Sequence, residues 1–284
     1  MQLLVIFNPP HIHMRNYILV ILAILLSLLS IENTLMSQEW EGTCCTPYVS
    51  PPQKFYIGPE YLHVRRTRDG GTKQNGNLYG FRGGYERIKN WGIYWGVEGH
   101  WAQGCLTGHS GGHDRLKSTF TDSHVEGRLG YTFQIQRWCQ PSITPFAGVG
   151  YFWEQNRFRS PSPLHLQFLT RAPYGLLGFL TNVELPRQFA IGLNFKACFM
   201  YDAKCEVSRD PEFGRTTLKI GDKINYRLEL PLTYHFCIPC NAFDVALVPF
   251  YESRHYGQKL SFPFAFQETK LRIYGVNLQF IYRL

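Results

Sequence analysis

Large apolar side chains alternate with small or polar ones along most of this chain after residue 38. In the last segment, every second position is large and apolar: Tyr274, Val276, Leu278, Phe280, Tyr282 and Leu284. A period of two is typical of a β-strand whose two faces differ in chemistry. We find no amphipathic helix of useful length after Gln38. The sequence therefore predicts an all-β fold, and a final strand with aromatic residues near its end is what closure of a barrel needs.

Ten such segments follow one another along the chain. They lie near 54–67, 76–89, 91–106, 118–136, 143–158, 165–185, 187–203, 222–236, 242–254 and from about 268. Tight connections at 89–90, 137–142, 186–187 and 237–241 alternate with long ones at 68–75, 107–117, 159–164, 204–221 and 255–267. This alternation is typical of outer-membrane barrels, which have even strand numbers. The sequence therefore predicts a closed antiparallel transmembrane β-barrel of about ten strands, with eight or twelve as alternatives and both termini in the periplasm.

The alternation alone does not say which face points inward. Many segments exceed ten residues, which is longer than typical soluble strands and long enough to cross a bilayer with a tilt. Aromatic residues lie toward the ends of the apolar faces, where interfacial girdles form. We therefore expect the apolar faces to meet lipid, and a soluble periplasmic barrel or sandwich is the alternative. The polar faces predict a charge network in the lumen, formed by His100 with Arg82, Glu86, Glu98, Glu126, Arg128, Lys196, Arg227, Glu229 and Asp244.

Three internal motifs are similar to strands of known membrane barrels. They are Tyr-Gly-Phe-Arg-Gly-Gly-Tyr at 79–85, Glu-Gly-Arg-Leu-Gly-Tyr-Thr-Phe at 126–133 and Pro-Phe-Ala-Gly-Val-Gly-Tyr at 145–151. With the terminal strand, they make the chain resemble small outer-membrane barrels of Gram-negative bacteria over roughly 53–284. Members of that class usually end in Phe or Trp, whereas this chain ends in Leu284. The resemblance implies a bacterial outer-membrane location, contact with lipid and lipopolysaccharide, and the barrel-assembly machinery as a partner.

The beginning of the chain has the pattern of an export signal. A short basic stretch at 14–16 precedes the uncharged apolar run 17–29, and a polar stretch follows to Ser37. This pattern predicts a signal peptide with Met14 as the start and cleavage near Ser37. An uncleaved anchor is the alternative. The expected organisation is a signal peptide with an upstream extension at 1–37, a periplasmic segment at 38–52 and the barrel at 53–284.

Composition narrows the class of partner. The mean hydropathy of −0.21 excludes a helical membrane protein, but a barrel with half-polar strands is compatible with it. The net charge of +8 fits an anionic partner, and no nucleic-acid motif is visible. Basic residues are expected in the outer loops, where they would contact lipopolysaccharide phosphates or, alternatively, an anionic host glycan: Arg65, Arg66, Arg68, Lys73, Arg115, Lys117, Arg157, Arg159, Lys204, Arg209, Arg215, Lys219, Arg254 and Lys259.

Eight cysteines are many for this class of protein. The expected topology places five on the periplasmic side: Cys44, Cys45, Cys139, Cys237 and Cys240. Export favours disulfides, either within the chain or to other envelope proteins. Zinc binding by these thiols is a further alternative, and the Cys237–Cys240 spacing lacks the βαβ context of a redox motif. Disulfide-linked envelopes are a feature of chlamydia-like bacteria, whose cysteine-bearing outer-membrane proteins this chain resembles.

The sequence contains no recognised catalytic or metal-binding motif. The four histidines His100, His109, His113 and His124 lie near Asp114 and Asp122 in the chain, but their spacing matches no metal motif. Asp122 with His124, and Asp202 with His255, are the pairs that a rim protease could use, and neither lies in a known motif. The neighbours Ser123 and His124 would point to opposite strand faces. We therefore expect no enzyme activity and no cofactor.

The function that the sequence predicts is a non-catalytic structural component of the cell envelope with surface-exposed loops, with disulfide cross-linking to other envelope proteins left open. A narrow porin-like channel for small solutes is one alternative, since it depends on whether the interior pairs close the bore. A surface adhesin that binds anionic glycans is the other.

Overall fold

The computed structural model describes residues 53–89, 91–135, 141–163, 165–186, 188–238, 241–260 and 265–284. No part of this described chain forms a helix long and apolar enough to cross a membrane. These residues form fourteen β-strands: β1 (Gln53–Arg68), β2 (Thr72–Arg87), β3 (Gly92–His109), β4 (Arg115–Gln134), β5 (Ser142–Arg159), β6 (Gln167–Leu185), β7 (Phe189–Ile191), β8 (Asn194–Met200), β9 (Lys204–Asp210), β10 (Gly214–Lys219), β11 (Ile224–Glu229), β12 (Leu232–Ile238), β13 (Asn241–Tyr256) and β14 (Thr269–Arg283).

The strands close into a ring of antiparallel neighbours. From β1 to β6, each strand pairs with the next. β13 pairs with β14, and β14 pairs with β1 from Lys54 opposite Arg283 to Arg68 opposite Thr269. Between β6 and β13, two positions in the barrel wall are each formed by three short strands, β7–β8–β9 and β10–β11–β12. We call each strand position in the wall a stave. Within the described chain the ring therefore has ten staves, which confirms the predicted fold class and strand number.

The interruptions in the seventh and eighth staves lie side by side. Two residues separate β7 from β8, and two residues separate β11 from β12. The amide of Gly192 bridges the gap by donating to the carbonyl oxygen of Pro231 (2.9 Å), and Pro231 itself has no amide to donate. Beyond this point, the segment 204–221 forms the hairpin β9–β10 and extends both staves. The sequence predicted a long irregular loop there, and that prediction is wrong.

Three of the five connections at one end of the barrel are clearly shorter than the sequence predicted: the first, the second and the fourth. Four of the five at the end opposite the chain termini span 69–71, 110–114, 160–166 and 211–213. The first is a tight turn in which Gly70 and Gly71 adopt positive φ angles of 83° and 85°, a region that glycine enters at little cost. Only the fifth connection, 257–268, is long among these. The length predicted for loops is instead used to prolong the strands.

Each strand divides into two parts with opposite chemistry. The band half surrounds the end of the barrel that bears Gln53 and Leu284, and its outward side chains are large, apolar and exposed, for example Tyr79 (64%), Val149 (66%) and Leu129 (63%). It comprises 53–61, 79–87, 92–101, 123–134, 142–153, 173–185, 241–251 and 274–283. The projecting half continues the same strands beyond this band and comprises 62–68, 72–78, 102–109, 115–122, 154–159, 167–172, 252–256 and 269–273.

The projecting half reverses the orientation of the band half. Its outward positions are mostly polar or basic, and its inward positions include a layer of buried apolar residues: Leu62, Val64, Leu78, Leu106, Phe120, Phe168, Leu271 and Ile273. The sequence predicted lipid-facing apolar residues over whole strands. The structure confines that arrangement to the band half, because the projecting half has a polar exterior and an apolar interior. Its buried apolar cluster continues into the band half with Phe146, Phe152 and Leu176.

Candidate functional site

Charged side chains fill the interior of the barrel through the band half and up to its border with the projecting half. Every second residue of a strand points inward, so ten staves bring these groups together from distant parts of the chain. The joined groups are Lys54, Glu60, Arg82, Glu86, Glu98, His100, Asp122, His124, Glu126, Arg128, Glu154, Lys196, Arg227, Glu229, Glu252 and Arg254. We call this set the lumen network.

Arg82 lies near the centre of the lumen network and is only 2% exposed. Its Nε donates to Glu60 Oε1 (3.1 Å), and its Nη1 donates to Glu98 Oε1 (2.5 Å). Arg227 reaches the same Glu60 oxygen at 3.3 Å and donates to Glu252 Oε2 at 2.8 Å. Glu60 on β1 is therefore held by arginines from β2 and β11. The sequence reasoning missed Glu60 because the faces of the first segment were not assigned.

A second group of pairs surrounds Glu126. Lys196 Nζ lies 2.8 Å and 2.9 Å from its two carboxylate oxygens, and Arg128 donates to it with Nε (2.7 Å) and Nη2. Arg128 Nη2 also lies 3.0 Å from Glu98 Oε1. Because each carboxylate has more than one cationic partner, removal of one partner would leave a buried charge with fewer contacts.

The third group lies at the border with the projecting half. Arg254 binds Asp122 through both terminal nitrogens, at 2.6 Å and 2.8 Å, in a bidentate pair. His100 Nδ1 lies 2.5 Å from Glu60 Oε2, and its Nε2 lies 3.4 Å from Asp122 Oδ2. His100 thereby links this group to the first. Arg254 was predicted in an outer loop, and the structure instead buries it in the lumen.

Four buried tyrosines complete the coordination of the carboxylates. Their hydroxyls donate to a glutamate each: Tyr56 to Glu98 (2.8 Å), Tyr94 to Glu86 (3.1 Å), Tyr174 to Glu126 (2.8 Å) and Tyr256 to Glu154 (3.0 Å). A Cβ on Gly150 would lie 2.3 Å from the Tyr174 ring, so only glycine leaves room for that ring. The sequence reasoning did not find these tyrosines. The inward glycines opposite them were the available signal.

Acidic groups outnumber basic ones in the lumen network as described. Eight carboxylates (Glu60, Glu86, Glu98, Asp122, Glu126, Glu154, Glu229 and Glu252) face six lysines and arginines (Lys54, Arg82, Arg128, Lys196, Arg227 and Arg254). His100 and His124 stack with ring centroids 4.9 Å apart among these acids. Glu98, His124 and Glu126 have ligand atoms within 4.8 Å of one another. Three cationic side chains already contact the two glutamates, and they would repel a metal ion bound at this position.

Asp244 was predicted in the same network, but the structure places it elsewhere. It lies near the end of the barrel that bears the chain termini, where it accepts a hydrogen bond from Arg283 and lies 2.8 Å from His235 Nδ1. His235 Nε2 is 3.1 Å from Glu184. The other eight predicted charges, Arg82, Glu86, Glu98, Glu126, Arg128, Lys196, Arg227 and Glu229, lie together in the lumen network.

The apolar layer and one loop cover the lumen network on the projecting side. Phe120, Leu106 and Ile273 are at most 1% exposed within this layer. Above it, Phe266 from the connection 257–268 is buried, and the Arg68 guanidinium lies 5.4 Å from the Phe168 ring and 5.8 Å from the Phe266 ring. Phe266 of the fifth connection therefore lies inside the mouth.

The structure separates the residues that were considered for metal binding or catalysis. His109 and His113 are exposed at the rim, far from the buried pair His100 and His124. Asp122 is bound by Arg254. At the rim, Asp202 pairs with Lys204 at 2.7 Å and His255 pairs with Glu268 at 2.9 Å. Neither predicted Asp–His pair contributes an accessible acid–base couple at these positions.

Three cysteines of the described chain are free thiols. Cys105 is exposed, Cys198 is half-buried and Cys205 is buried. Cys44, Cys45, Cys139 and Cys240 lie outside the described residues, and of Cys237 only the backbone, in β12, is described. The predicted disulfides therefore stay predictions, as do the signal peptide and the periplasmic segment.

Comparison with solved structures identifies the fold. The barrel is similar to the outer membrane protease OmpT from Escherichia coli, with a TM-score of 0.52 and 9% identity over 86% of this chain and 99% of that chain. The transport unit of the autotransporter AIDA-I from Escherichia coli gives a TM-score of 0.46 and 11% identity over 90% and 97%. The translocator domain of NalP from Neisseria meningitidis gives 0.44 and 7% over 91% and 94%.

No protein-family model and no curated protein sequence matches this chain. At 9% identity, the likeness to OmpT shows the fold alone, which is that of a Gram-negative outer-membrane β-barrel. It gives no information on the cysteines or on a specific activity.

Proposed function

We propose that this chain is a closed, non-catalytic barrel that serves as a structural component of the bacterial outer membrane, with both termini in the periplasm. The exposed apolar band supports a membrane location, because contiguous apolar surface of this extent is unfavourable in water. The predicted export signal agrees with this location. The strands extend well beyond the apolar band at the opposite end, as on the extracellular side of an outer-membrane barrel, and this supports a periplasmic position for the termini.

The observation that supports a structural role most directly is the filling of the lumen. Ion pairs occupy its middle, and a buried apolar layer with Phe266 covers them on one side. A solute or hydrated ion would have to break several buried ion pairs to pass. Each broken pair would leave an uncompensated buried charge, at a cost of several kcal/mol. The filled lumen therefore favours a closed barrel over the porin-like alternative.

Planar-bilayer recording of the refolded barrel tests this proposal. We expect no steady conductance above the leak of the bilayer. Insertion is verified separately, because a closed barrel stays folded in SDS until boiled and migrates differently before and after heating. A steady open current from heat-modifiable, inserted protein would contradict the closed barrel and support the channel.

The absence of enzyme activity is part of the proposal. Its support is the pairing of Asp122 with Arg254 and of His255 with Glu268, which commits these side chains to structural contacts. Incubation of the refolded protein with a mixture of unfolded polypeptides, followed by mass spectrometry, checks it. Defined cleavage products that disappear in an Asp122→Asn variant would contradict it.

Cross-linking through Cys44, Cys45, Cys139, Cys237 and Cys240 remains part of the proposed envelope role. Its support is the number of cysteines and the expected oxidising compartment. Electrophoresis of isolated envelopes with and without reductant tests it. Migration as a monomer under both conditions would remove this part of the proposal and leave the barrel itself unaffected.

A further inference from the structure

The outward face of the projecting half bears basic residues in two adjacent rows around the barrel. The strand register joins Arg272, Arg65, Asn75, Thr107, Lys117 and Arg159 side by side, from β14 across β1, β2, β3 and β4 to β5. The next row, farther from the apolar band, joins Lys270, Thr67, Lys73, His109 and Arg115. Of these eleven residues seven are Lys or Arg, and none is Asp or Glu. We call them the basic rows.

Arg65 and Arg272 are the pair of like charges at the ring-closing junction of the basic rows. They are directly opposite each other on β1 and β14, and both are exposed. Side chains directly opposite in an antiparallel pair have Cβ atoms about 4.5–5.5 Å apart, and like charges at that separation destabilise the sheet. The ring-closing register between these strands fixes their backbone positions side by side, so both guanidiniums can reach one anion. An anion that binds both would remove the repulsion and form charge-assisted hydrogen bonds with each.

The position of this pair says where such an anion would lie. Arg272 is two residues beyond Tyr274, about 6.6 Å along the strand, and Tyr274 belongs to the apolar band. His63 is directly opposite Tyr274, and their rings are 5.0 Å apart. Aromatic side chains of this kind mark the membrane interface. The first basic row therefore begins at the level where lipid headgroups start.

Most of the basic rows has no acidic neighbour that would satisfy it. Lys270 is the exception, since it lies 2.8 Å from Glu268. Hydrogen bonds from Lys270 and His255 hold the pKa of the Glu268 carboxyl below its usual range, so this acid is ionised and paired. On the opposite side of the mouth, by contrast, Arg215 pairs with Glu206 at 2.6 Å and Lys204 pairs with Asp202 at 2.7 Å.

We infer that the basic rows, centred on Arg65 and Arg272, bind the phosphate groups of phosphorylated glycolipid in the outer leaflet. This inference rests on the orientation in the proposed function, because the projecting half must emerge on the outer side. The phosphate bridges the two arginines, and the acyl chains lie along the apolar band below Tyr274. The lipid thus neutralises a charge row that the protein leaves without carboxylates.

Binding of lipid A to the refolded full chain in neutral detergent tests the inference. The probes are diphosphoryl lipid A, fully dephosphorylated lipid A and inorganic pyrophosphate, and native mass spectrometry measures occupancy. We expect diphosphoryl lipid A to bind at least tenfold more tightly than the dephosphorylated form. In the double variant Arg65→Gln with Arg272→Gln, that preference should fall to about twofold or less. The matched control Lys204→Gln with Arg215→Gln removes the same charge and should keep it.

Each contrary outcome is distinct. Equal binding of the two lipids, or an equal loss in the control variant, would overturn a specific phosphate site. Binding of pyrophosphate as tight as that of lipid A would show an anion site without lipid and would also overturn the inference. A second readout is the melting temperature in lipid-free detergent, which should rise in the double variant because the repulsion is relieved. A fall would show that the arginines stabilise the barrel themselves. None of these results depends on conductance, which tests the proposed function separately.

Discussion

The band half and the projecting half follow the same period of two with opposite sense. In the band half, Phe81 faces out and Arg82 faces in; in the projecting half, Arg65 faces out and Val64 faces in. The strands run continuously through both. The same strands thus form a membrane-type barrel in one half and a water-exposed barrel in the other. The apolar side chains point outward where lipid surrounds the barrel and inward where water does.

This difference teaches that the two halves are stabilised by different forces. The projecting half has an apolar core that water drives inward. The band half already has apolar groups in hydrocarbon on its exterior, and its interior combines matched charges and hydrogen bonds with buried apolar residues such as Phe146, Leu176 and Val248. Substitutions of similar type should therefore have different effects in the two halves.

The largest effect is expected for Arg82→Met in the lumen network. It removes the shared partner of Glu60 and Glu98 and leaves two buried carboxylates with fewer cations. We expect a loss of about 3–5 kcal/mol in the free energy of unfolding, as for other broken buried pairs. Urea unfolding in detergent or lipid vesicles, followed by heat-modifiable migration, measures it. Arg215→Met, which breaks an exposed pair, is the control and should change little; equal stability of both variants would refute the role of the network.

Phe120→Ala tests the apolar core of the projecting half. The side chain is fully buried, so the substitution should lower the free energy of unfolding by roughly 3 kcal/mol or more through lost burial and a new cavity. Phe81→Ala is the comparison, because Phe81 is 59% exposed on the apolar band. We expect a clearly smaller loss there. If the two variants were equally destabilised, the projecting half would have no separate aqueous-type core.

Leu129→Arg tests the lipid-facing surface directly. Leu129 is 63% exposed on the band, where a charge near the bilayer midplane costs about 2–4 kcal/mol. Gln103→Arg places the same charge on the outward face of the projecting half and should change stability little. Urea unfolding in lipid vesicles compares the two. Similar effects in both variants would remove the distinction between the halves.

The smallest effect is expected for Tyr174→Phe. The hydroxyl donates to Glu126 at 2.8 Å inside the lumen, and hydrogen bonds to charged groups contribute about 1.5–3 kcal/mol. The ring itself, which packs over Gly150, is retained. The same unfolding measurement checks this value. No change in stability would mean that Lys196 and Arg128 satisfy Glu126 without the tyrosine.

The strand number and the membrane-facing band could be predicted because each follows from local alternation. Phe81, Leu129 and Phe280 lie on faces that the period of two assigns without tertiary information. The reversal in the projecting half could not be predicted from that period. Leu62 and Leu78 could not be recognised as core residues. The alternation shows that the two faces of a strand differ, but not whether the outer face meets water or lipid.

The lumen network was partly predictable for a similar reason. Glu98 and Arg128 stand out as charges on an otherwise alternating strand. Arg254 was counted with the outer loop because it is the last residue of its predicted strand, whereas β13 continues to Tyr256. Asp244 pairs with His235 and Arg283 instead of joining the network. Which inward charges meet across the lumen depends on strand tilt and stagger, which the sequence does not specify. The hairpin at 204–221 was missed because the segment was assigned to a long connection between two strands.

The lumen network also constrains how the barrel can assemble. Glu60 meets Arg227, and Asp122 meets Arg254, across 167 and 132 residues of chain. None of these partners is in place until the first and last strands meet, and contacts so remote in sequence form slowly. An open sheet that entered the bilayer would expose carboxylates to hydrocarbon without these cationic partners. Seam closure and charge neutralisation therefore have to coincide with insertion, and the nascent chain has to stay out of the lipid until then.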